Sequence, residues 1–220
     1  MSVPAILVYG GGGHGRVLLD LLRALAGYDV VGVVDDHLRP GDDVLGAPVL
    51  GGCEVLAELR ARDVALAVNG IGGIGRIQSR VEVFDRLAGA GFSCPSLVHP
   101  RAVVEPSATL ADGVQVLALA YVGSAATIGF GSLVNTAAVV NHDCVLGRYA
   151  NVSPGALLAG EVALGDRAMV GMGATLNVGV RVGEGALIAN SAVVKADVPA
   201  GVRVRAGQLW PPRGGSRSDT

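Results

Sequence analysis

The sequence predicts an α/β domain followed by a parallel β-helix, and three observations support this. From Val98 the chain reads as 17 consecutive hexads without an insertion, with Val, Leu or Ile always first and Ala, Val, Ser or Cys always fifth. A fixed six-residue period is neither helical nor strand-like and is typical of a parallel β-helix. Before the hexads, strand-like and helix-like segments alternate. The chain is 50% hydrophobic but only 4% aromatic, as expected for a narrow prism filled with small aliphatic side chains.

The first elements form one βαβ unit. Residues 5–9 (AILVY) read as a buried strand, and the glycine-rich loop GGGGHG follows at residues 10–15. The next segment, VLLDLLRAL, is apolar at helical spacing and ends near Gly27. Residues 30–34 (VVGVV) form a second strand, and Asp35 and Asp36 come directly after it.

The glycine-rich loop matches a nucleotide-binding pattern. Gly10, Gly12 and Gly15 satisfy G-x-G-x-x-G between a strand and a helix, and Asp35 lies about 20 residues further on, where a dinucleotide-binding fold holds a ribose. Glycines let backbone N–H groups approach a diphosphate, and a helix N-terminus favours the anion. The pattern has two interpretations, a nicotinamide cofactor or the nucleotide diphosphate of an activated sugar.

The rest of this domain is short. A strand is predicted at residues 64–68, a further short strand near Val49, and helices at residues 54–62 and 74–88. Three or four strands make a half-Rossmann domain, sufficient for one nucleotide. The loop NGIGG, residues 69–73, follows a strand and therefore lies at the edge where open α/β sheets bind ligands. The predicted substrate-binding residues here are Gly12, Gly13, His14, Gly15, Asp35, Asp36, Asn69 and Gly70.

The positions within each hexad predict the geometry of the β-helix. Each makes a short strand and a corner, and three complete a triangular coil, with coils stacked about 4.8 Å apart. The first position points inward, the fifth is small because the corner is tight, and glycine is frequent at the second and fourth positions, where φ > 0 is expected. Three regions are predicted: a Rossmann-like nucleotide-sugar-binding domain at residues 1–95, a β-helix domain at residues 96–200 and a C-terminal tail at residues 201–220.

Composition narrows the function classes. A net charge of −2 offers no electrostatic case for nucleic acid or an anionic membrane. Three scattered cysteines, no signal peptide and no apolar run of about 18 residues predict a cytoplasmic protein without a disulfide framework or membrane partner. A zinc site needs about three histidine ligands, and one well-placed histidine, His142, is too few, so no metal is expected.

The hexads resemble those of the hexapeptide-repeat acyltransferases, whose β-helices are left-handed. The segment NTAAVVNHDCVLG, residues 135–147, is similar to the catalytic segment of nucleotide-sugar acetyltransferases, a group that includes the sialic acid O-acetyltransferase-like proteins. The resemblance implies that His142 is the general base and that Asp143 orients it, a task for which histidine suits because its pKa lies near neutrality. It also implies acetyl-CoA as co-substrate, direct attack of the acceptor on the thioester, and a homotrimer with active sites between subunits.

The same resemblance assigns further residues. The backbone N–H of Gly160 would stabilise the oxyanion. Asn135 would bind the substrate. The residues that would bind acetyl-CoA are Asn151, Gly160, Gly171, Met172, Ala189 and Asn190. Two departures stand out: Asn151 occupies the place of a second family histidine, and the closing segment at residues 204–213 is unusual, with Trp210 as a stacking surface.

The favoured function is transfer of an acetyl group from acetyl-CoA to the amine of a nucleotide-linked amino sugar, in polysaccharide biosynthesis. O-acetylation of a sugar hydroxyl is the alternative, since it would use the same residues. A nicotinamide-dependent oxidoreductase would leave the hexads without a role, and a non-catalytic solenoid would not need the glycine-rich loop.

Overall fold

A computed structural model describes residues 3–73, 75 and 77–212. The chain forms two compact units: the first comprises the described residues up to Pro100 together with Ala111–Gln115, and the second comprises Arg101–Leu110 and the described residues from Val116 onward. The predicted helix start at residue 74 and the predicted tail from residue 213 lie outside the described residues.

The first unit is an α/β sheet with helices. Its elements are β1 (Ala5–Tyr9), α1 (Gly13–Leu25), β2 (Asp29–Val34), β3 (Asp43–Val44), β4 (Ala47–Gly51), a 3-10 turn (Cys53–Val55), α2 (Leu56–Ala61), β5 (Leu66–Asn69) and α3 (Ile77–Gly89). The sheet order is β3-β4-β2-β1-β5, parallel except for the β3–β4 hairpin. The prediction of three or four strands is wrong, since the sheet formed by the described residues has five. The extra strand has two residues, too few to show a period.

The helix α1 packs tightly against the glycine-rich loop. Its buried face includes Leu18, Leu19, Leu21 and Leu22, as the apolar spacing predicts, and its C-cap residue Ala26 has the left-handed conformation (φ 49°). A Cβ on Gly15 would lie 1.8 Å from the carbonyl oxygen of Gly10. This glycine is therefore required for the close approach of helix and loop.

The repeat forms a three-faced parallel β-helix. Its two-residue strands are β6 (Leu97–Val98), β7 (Val103–Val104), β8 (Thr109–Leu110), β9 (Gln115–Val116), β10 (Tyr121–Val122), β11 (Thr127–Ile128), β12 (Leu133–Val134), β13 (Val139–Val140), β14 (Val145–Leu146), β15 (Asn151–Val152), β16 (Leu157–Leu158), β17 (Ala163–Leu164), β18 (Met169–Val170), β19 (Thr175–Leu176), β20 (Arg181–Val182), β21 (Leu187–Ile188), β22 (Val193–Val194), β23 (Arg203–Val204) and β24 (Leu209–Trp210).

In the second unit the first face holds β7, β10, β13, β16, β19, β22 and β24. The second holds β8, β11, β14, β17 and β20, and the third includes β12, β15, β18, β21 and β23.

Strand pairing confirms three hexads per coil. Tyr121 pairs in parallel with Val139, and Val139 with Leu157, so each residue lies beside the one eighteen positions later. First and fifth hexad positions are buried throughout from Val114 to Val198, which confirms their inward orientation. Each Å² of apolar surface that is buried contributes about 25 cal/mol of free energy. This stacked column of aliphatic side chains therefore stabilises the second unit.

The prediction of positive φ at the fourth hexad position is confirmed. Every fourth position from residue 113 to residue 191 has a positive φ, whether the residue is glycine or, for example, Tyr149 or Arg167. The prediction of positive φ at the second position is wrong. At two second positions the coils approach closely enough to favour glycine: a Cβ on Gly147 would lie 2.7 Å from the Asp166 nitrogen, and one on Gly165 would lie 2.6 Å from the Glu184 nitrogen.

The β-helix continues beyond residue 200, where the sequence predicts a tail. Thr175 pairs with Val193, but Val193 pairs with Leu209, so the last coil is two residues shorter than the others. The indole N–H of Trp210 donates to the carbonyl oxygen of Asp197 at 3.0 Å. Trp210 therefore takes part in closing the last coil.

Candidate active site

A cleft of about 520 Å³ opens in the α/β unit, beside the residues that follow β1, β2 and β5. Six of the predicted substrate-binding residues line it: Gly12, Gly13, His14, Asp35, Asp36 and Gly70. The space at Gly12 and Gly13 is open, since a Cβ there would meet no atom within 4 Å. The first turn of α1 thus presents its N-terminus to the cleft.

Two predicted residues, Gly15 and Asn69, lie behind the cleft. Gly15 is buried against the glycine-rich loop. Asn69 is fully buried: its amide nitrogen donates to the carbonyl oxygen of Arg80 at 2.7 Å, and its amide oxygen accepts from the N–H of Ile71 at 3.0 Å. In this structure both residues shape the loops around the cleft.

The carboxylate of Asp35 connects the glycine-rich loop to the loop after β2. One oxygen accepts from the N–H of Gly11 at 2.7 Å. The other accepts from the N–H groups of His37 at 2.9 Å and Leu38 at 3.2 Å. Both oxygens are thus already engaged by backbone donors. A carboxylate in this position stabilises the loop geometry in addition to any contact with a ribose.

Asp36 is held by a network that the sequence gives no sign of. Its carboxylate accepts from the Tyr9 hydroxyl at 2.8 Å, from Arg86 at 2.8 Å and from the Cys53 N–H at 2.7 Å. Burial alone would raise the pKa of Asp36, but these three donors outweigh it and lower the pKa. Burial and the bond to Asp36 raise the pKa of Tyr9. Because Arg86 lies 50 residues from Asp36, only the fold reveals the pair.

His14 joins a second network. Its Nε2 lies 2.8 Å from Oε1 of Gln115, and the same oxygen accepts from Arg80 at 3.2 Å. Arg80 is only 1% exposed, and burial lowers its pKa to about 10. Sequence reasoning missed both partners, because Arg80 lies inside a helix and Gln115 in the first hexads.

In the second unit His142 and Asp143 lie at the edge where the first face passes into the second, between β13 and β14. Asp143 adopts the left-handed conformation of every fourth hexad position (φ 58°). Its Oδ2 lies 2.8 Å from Nδ1 of His142. A carboxylate can only accept, so Nδ1 carries the proton and Nε2 is left as the basic nitrogen.

Gly160 lies beside the same ring, one coil further along. A Cβ on Gly160 would come within 2.4 Å of Cε1 and 2.5 Å of Nε2 of His142, so only glycine leaves room for the ring. The Gly160 N–H donates to no acceptor in the part of the chain that the structure describes. A basic nitrogen and a free backbone donor therefore lie next to each other at this edge, which we call the His142 edge (His142, Asp143 and Gly160).

The other residues that the resemblance assigns lie elsewhere on the prism. Asn135, Gly171, Met172, Ala189 and Asn190 all follow strands of the third face, at the edge leading to the first face, which we call the Asn135 edge. The amide oxygen of Asn190 accepts from the Met172 N–H at 3.0 Å. Within a single chain this edge is separate from the His142 edge.

Asn151 is on the third face, in β15, and is 2% exposed. Its amide nitrogen donates to the Ser153 hydroxyl at 3.0 Å. Its buried amide oxygen accepts no hydrogen bond from the described residues. Such a buried oxygen is costly to leave unsatisfied.

Among the described residues, no three His, Cys, Asp or Glu side chains are grouped so as to hold a metal ion. None of the helices there has the length and apolar character needed to cross a membrane.

Residues 5–87 match the PglD N-terminal domain family. Among solved structures, a histidine-to-asparagine variant of perosamine N-acetyltransferase from Caulobacter crescentus, in complex with CoA and GDP-perosamine, is 35% identical with a TM-score of 0.86; the match covers 92% of this chain and 93% of that one. The acetyltransferase domain of PglB from Neisseria gonorrhoeae, in complex with acetyl coenzyme A, is 33% identical with a TM-score of 0.85; that match covers 94% and 98%.

A curated relative is matched over a shorter stretch. UDP-N-acetylbacillosamine N-acetyltransferase of Bacillus subtilis is 29% identical over 118 residues, which is 51% of this chain and 51% of that protein. The match thus spans about half the length of this relative.

Proposed function

Because the chain belongs to the hexapeptide-repeat nucleotide-sugar acetyltransferases, with their left-handed β-helix, we propose that it transfers the acetyl group of acetyl-CoA to the amine of a nucleotide-linked amino sugar. One observation carries the proposal: the basic Nε2 of His142 lies directly against Gly160, whose N–H has no acceptor among the described residues. A base and an oxyanion donor side by side are the two groups that acyl transfer to an amine requires.

The transfer proceeds by direct attack. The amine nitrogen of the sugar attacks the thioester carbonyl carbon, and Nε2 of His142 takes a proton from that nitrogen. The carbonyl oxygen becomes an oxyanion, which accepts from the Gly160 N–H. The C–S bond then breaks, the thiolate of CoA receives the proton from His142, and the amide product forms. Asp143 keeps Nδ1–H in place and stabilises the imidazolium while it exists.

The cleft in the α/β unit is the proposed site of the nucleotide diphosphate. Open space at Gly12 and Gly13, the first N–H groups of α1 and the loop at Gly70 together suit an anion. The names of the relatives refer to UDP- and GDP-linked sugars, so the acceptor is placed in this class.

The distribution of residues over the prism supports a homotrimer. The His142 edge carries the base, while Asn135 and the residues around Met172 and Asn190 lie on a different edge of the same chain. If all of them serve one active site, the Asn135 edge must come from a second copy. We therefore propose a trimer with acetyl-CoA bound between neighbouring prisms, working in the cytoplasm in polysaccharide biosynthesis.

The test is CoA release. The protein is mixed with acetyl-CoA and GDP-, UDP- or dTDP-linked amino sugars, and free thiol is followed. We expect release with at least one amino sugar and a loss of more than about 100-fold in His142→Ala, as for removal of a general base. The His142 side chain is 57% exposed, so the variant should melt like the wild type, and this is the control for folding.

Other outcomes distinguish the alternatives. Release only with sugars that carry a hydroxyl in place of the amine would establish O-acetylation. Unchanged release in His142→Ala would contradict the mechanism even if the reaction class stood. No release with any sugar would contradict the proposed function.

A further inference from the structure

A buried amide lies behind the cleft of the α/β unit and contacts three groups. Gln115 is 2% exposed. Its Oε1 lies 2.8 Å from Nε2 of His14 and 3.2 Å from a guanidinium nitrogen of Arg80, and its Nε2 donates to the carbonyl oxygen of Asn69 at 3.0 Å. Arg80 is itself fixed by donation to the carbonyl oxygen of Ile71 at 2.6 Å. The proposed acetyl transfer does not use these contacts.

The chemistry of its neighbours fixes the orientation of the Gln115 amide. A guanidinium can only donate, and a backbone carbonyl can only accept. The amide oxygen must therefore face Arg80, and the amide nitrogen must face Asn69, which excludes the flipped orientation. Because the oxygen facing His14 is an acceptor, His14 must donate through Nε2–H. The other ring nitrogen, Nδ1, then has a free lone pair unless a second proton binds.

A second proton is disfavoured. Burial, followed by the charge of Arg80, lowers the pKa of His14 to about 4, so the ring is neutral near pH 7. The other charged or titratable groups lining the cleft are Tyr9, Asp35, Asp36, His37, Glu82 and Arg86. Of these, Asp35 accepts from backbone N–H groups and Asp36 is paired with Arg86. Within the described part of the chain, no donor is bonded to Nδ1 of His14.

We propose that His14 binds the nucleotide sugar as a neutral hydrogen-bond acceptor, with Nδ1 receiving a hydroxyl donor of the ligand, and that Gln115 is the positioning residue that fixes this tautomer. The inference rests on the proposed binding of a nucleotide sugar in this cleft. In this arrangement the backbone N–H groups of α1 bind the negatively charged diphosphate. His14 instead favours ligands that present a hydrogen-bond donor to Nδ1.

The tautomer is measured on the free protein. Two-bond ¹H–¹⁵N correlation spectra at about pH 7 should show His14 protonated at Nε2 only, with a second protonation appearing only below about pH 5. A doubly protonated ring at about pH 7, or a proton on Nδ1 alone, would overturn the proposal. This result does not depend on whether the protein is a sugar acetyltransferase.

Ligand binding tests the acceptor role, with GDP-perosamine as the probe and calorimetry at about pH 6 and about pH 8 as the measurement. The sugar-linked diphosphate does not titrate in this range, and protonation of the sugar amine affects the wild type and His14→Gln alike, so the ratio of their affinities should stay within about twofold between the two pH values. His14→Asn keeps an oxygen near the place of Nδ1 and should bind within about fivefold of the wild type. His14→Gln moves the polar group away and should lose about tenfold.

The pH dependence of binding also distinguishes failure of the His14 proposal from failure of the proposed function. Affinity that rises about tenfold on acidification in the wild type, but not in His14→Gln, would show a cationic His14 paired with the diphosphate and would overturn this inference while leaving the proposed function intact. Failure to bind any nucleotide sugar in the panel would contradict the proposed function and the ligand contact together.

The Gln115→Glu variant should change the pH dependence of ligand binding, which would not change if Gln115 had a purely structural role. The carboxylate keeps an acceptor for His14 and Arg80 but adds a negative charge, so the pKa of His14 should rise and binding should weaken at lower pH, because a proton then occupies Nδ1. In CoA release the variant should raise KM for the nucleotide sugar with little change in kcat. Binding that stays independent of pH in a variant with a raised His14 pKa would overturn the proposal.

Discussion

The two functional regions are built in different ways. At the His142 edge, the repeat supplies the geometry: residues eighteen positions apart lie side by side, so His142 and Gly160 meet by register alone. In the cleft of the α/β unit, each contact is separate and joins distant parts of the chain, as Arg86 and Asp36 show. A repeated scaffold therefore places catalytic groups by spacing, whereas an irregular one places binding groups through individual hydrogen bonds.

The largest expected change in stability is in the α/β unit, the irregular one of the two. In Gly15→Ala the new Cβ would lie 1.8 Å from the backbone oxygen of Gly10, and neither atom can move without opening the helix–loop contact. We expect the α/β unit to lose more than about 3 kcal/mol of its free energy of unfolding. Hydrogen exchange resolved by segment would show the loss in β1 and α1.

The control is Gly13→Ala, whose Cβ would meet no atom within 4 Å and which should leave the stability nearly unchanged. Equal stability of both variants would contradict the idea that backbone contact makes Gly15 necessary.

The next effect separates catalysis from folding in the β-helix. In Gly160→Ala the new methyl group would displace the exposed ring of His142, which can turn into solvent at little cost. We expect CoA release to fall about 100-fold with an unchanged melting temperature. In Gly165→Ala the methyl group instead meets the backbone of Glu184, so stability should fall. Full activity in Gly160→Ala would show that the ring does not need its present position.

A smaller effect is a pH dependence confined to the irregular unit. Burial, then Arg80, lowers the pKa of His14 from 6.5 to about 4 in the folded chain. As the pH falls below 6.5, the unfolded chain binds a proton that the folded chain does not, so the free energy of unfolding decreases, levelling off below about pH 4.

A change in pKa from 6.5 to about 4 corresponds to about 3 kcal/mol of free energy of unfolding between the two pH limits. The measurement is the difference in denaturant unfolding between the wild type and His14→Gln at several pH values, since other groups cancel in the difference. An identical pH dependence in both proteins would contradict the prediction.

The smallest effect is expected in the corners of the repeat. Gly185 has φ 64°, but other residues take the same conformation at the fourth position, Leu119 and Arg167 among them. A Cβ at Gly185 would meet no atom within 4 Å. Gly185→Ala should therefore cost only about 1 kcal/mol and leave CoA release unchanged. A loss as large as that in Gly15→Ala would remove the distinction between the two regions.

The same contrast explains what the sequence alone could predict. The hexad register indicates which side chains point inward and places His142 and Gly160 on one edge, because position in a repeat is position in space. In the α/β unit the glycine pattern locates the cleft. It cannot tell that both oxygens of Asp35 accept from backbone donors, or that Asn69 is buried behind the loop.

The partners of these residues leave no local signal. Arg80 and Arg86 lie in one helix and read as ordinary surface charges, and Gln115 reads as one more outward position of the repeat. Only the three-dimensional arrangement shows that one arginine is buried beside Gln115 and that the other is bonded to Asp36. Long-range polar pairs of this kind depend on tertiary contacts that no sequence period encodes.

The eighteen-residue register also restricts how such a chain can change length over evolution. Duplication of one hexad between His142 and Gly160 would move every later residue to the next edge of the prism and separate the base from its oxyanion donor. Only the insertion or deletion of a whole coil would restore the faces, and even a coil inserted between these two residues would part them. Whole coils can therefore be added only after Asn190, beyond the residues proposed to bind acetyl-CoA, so the length of the solenoid can change there while the coils that carry the site cannot.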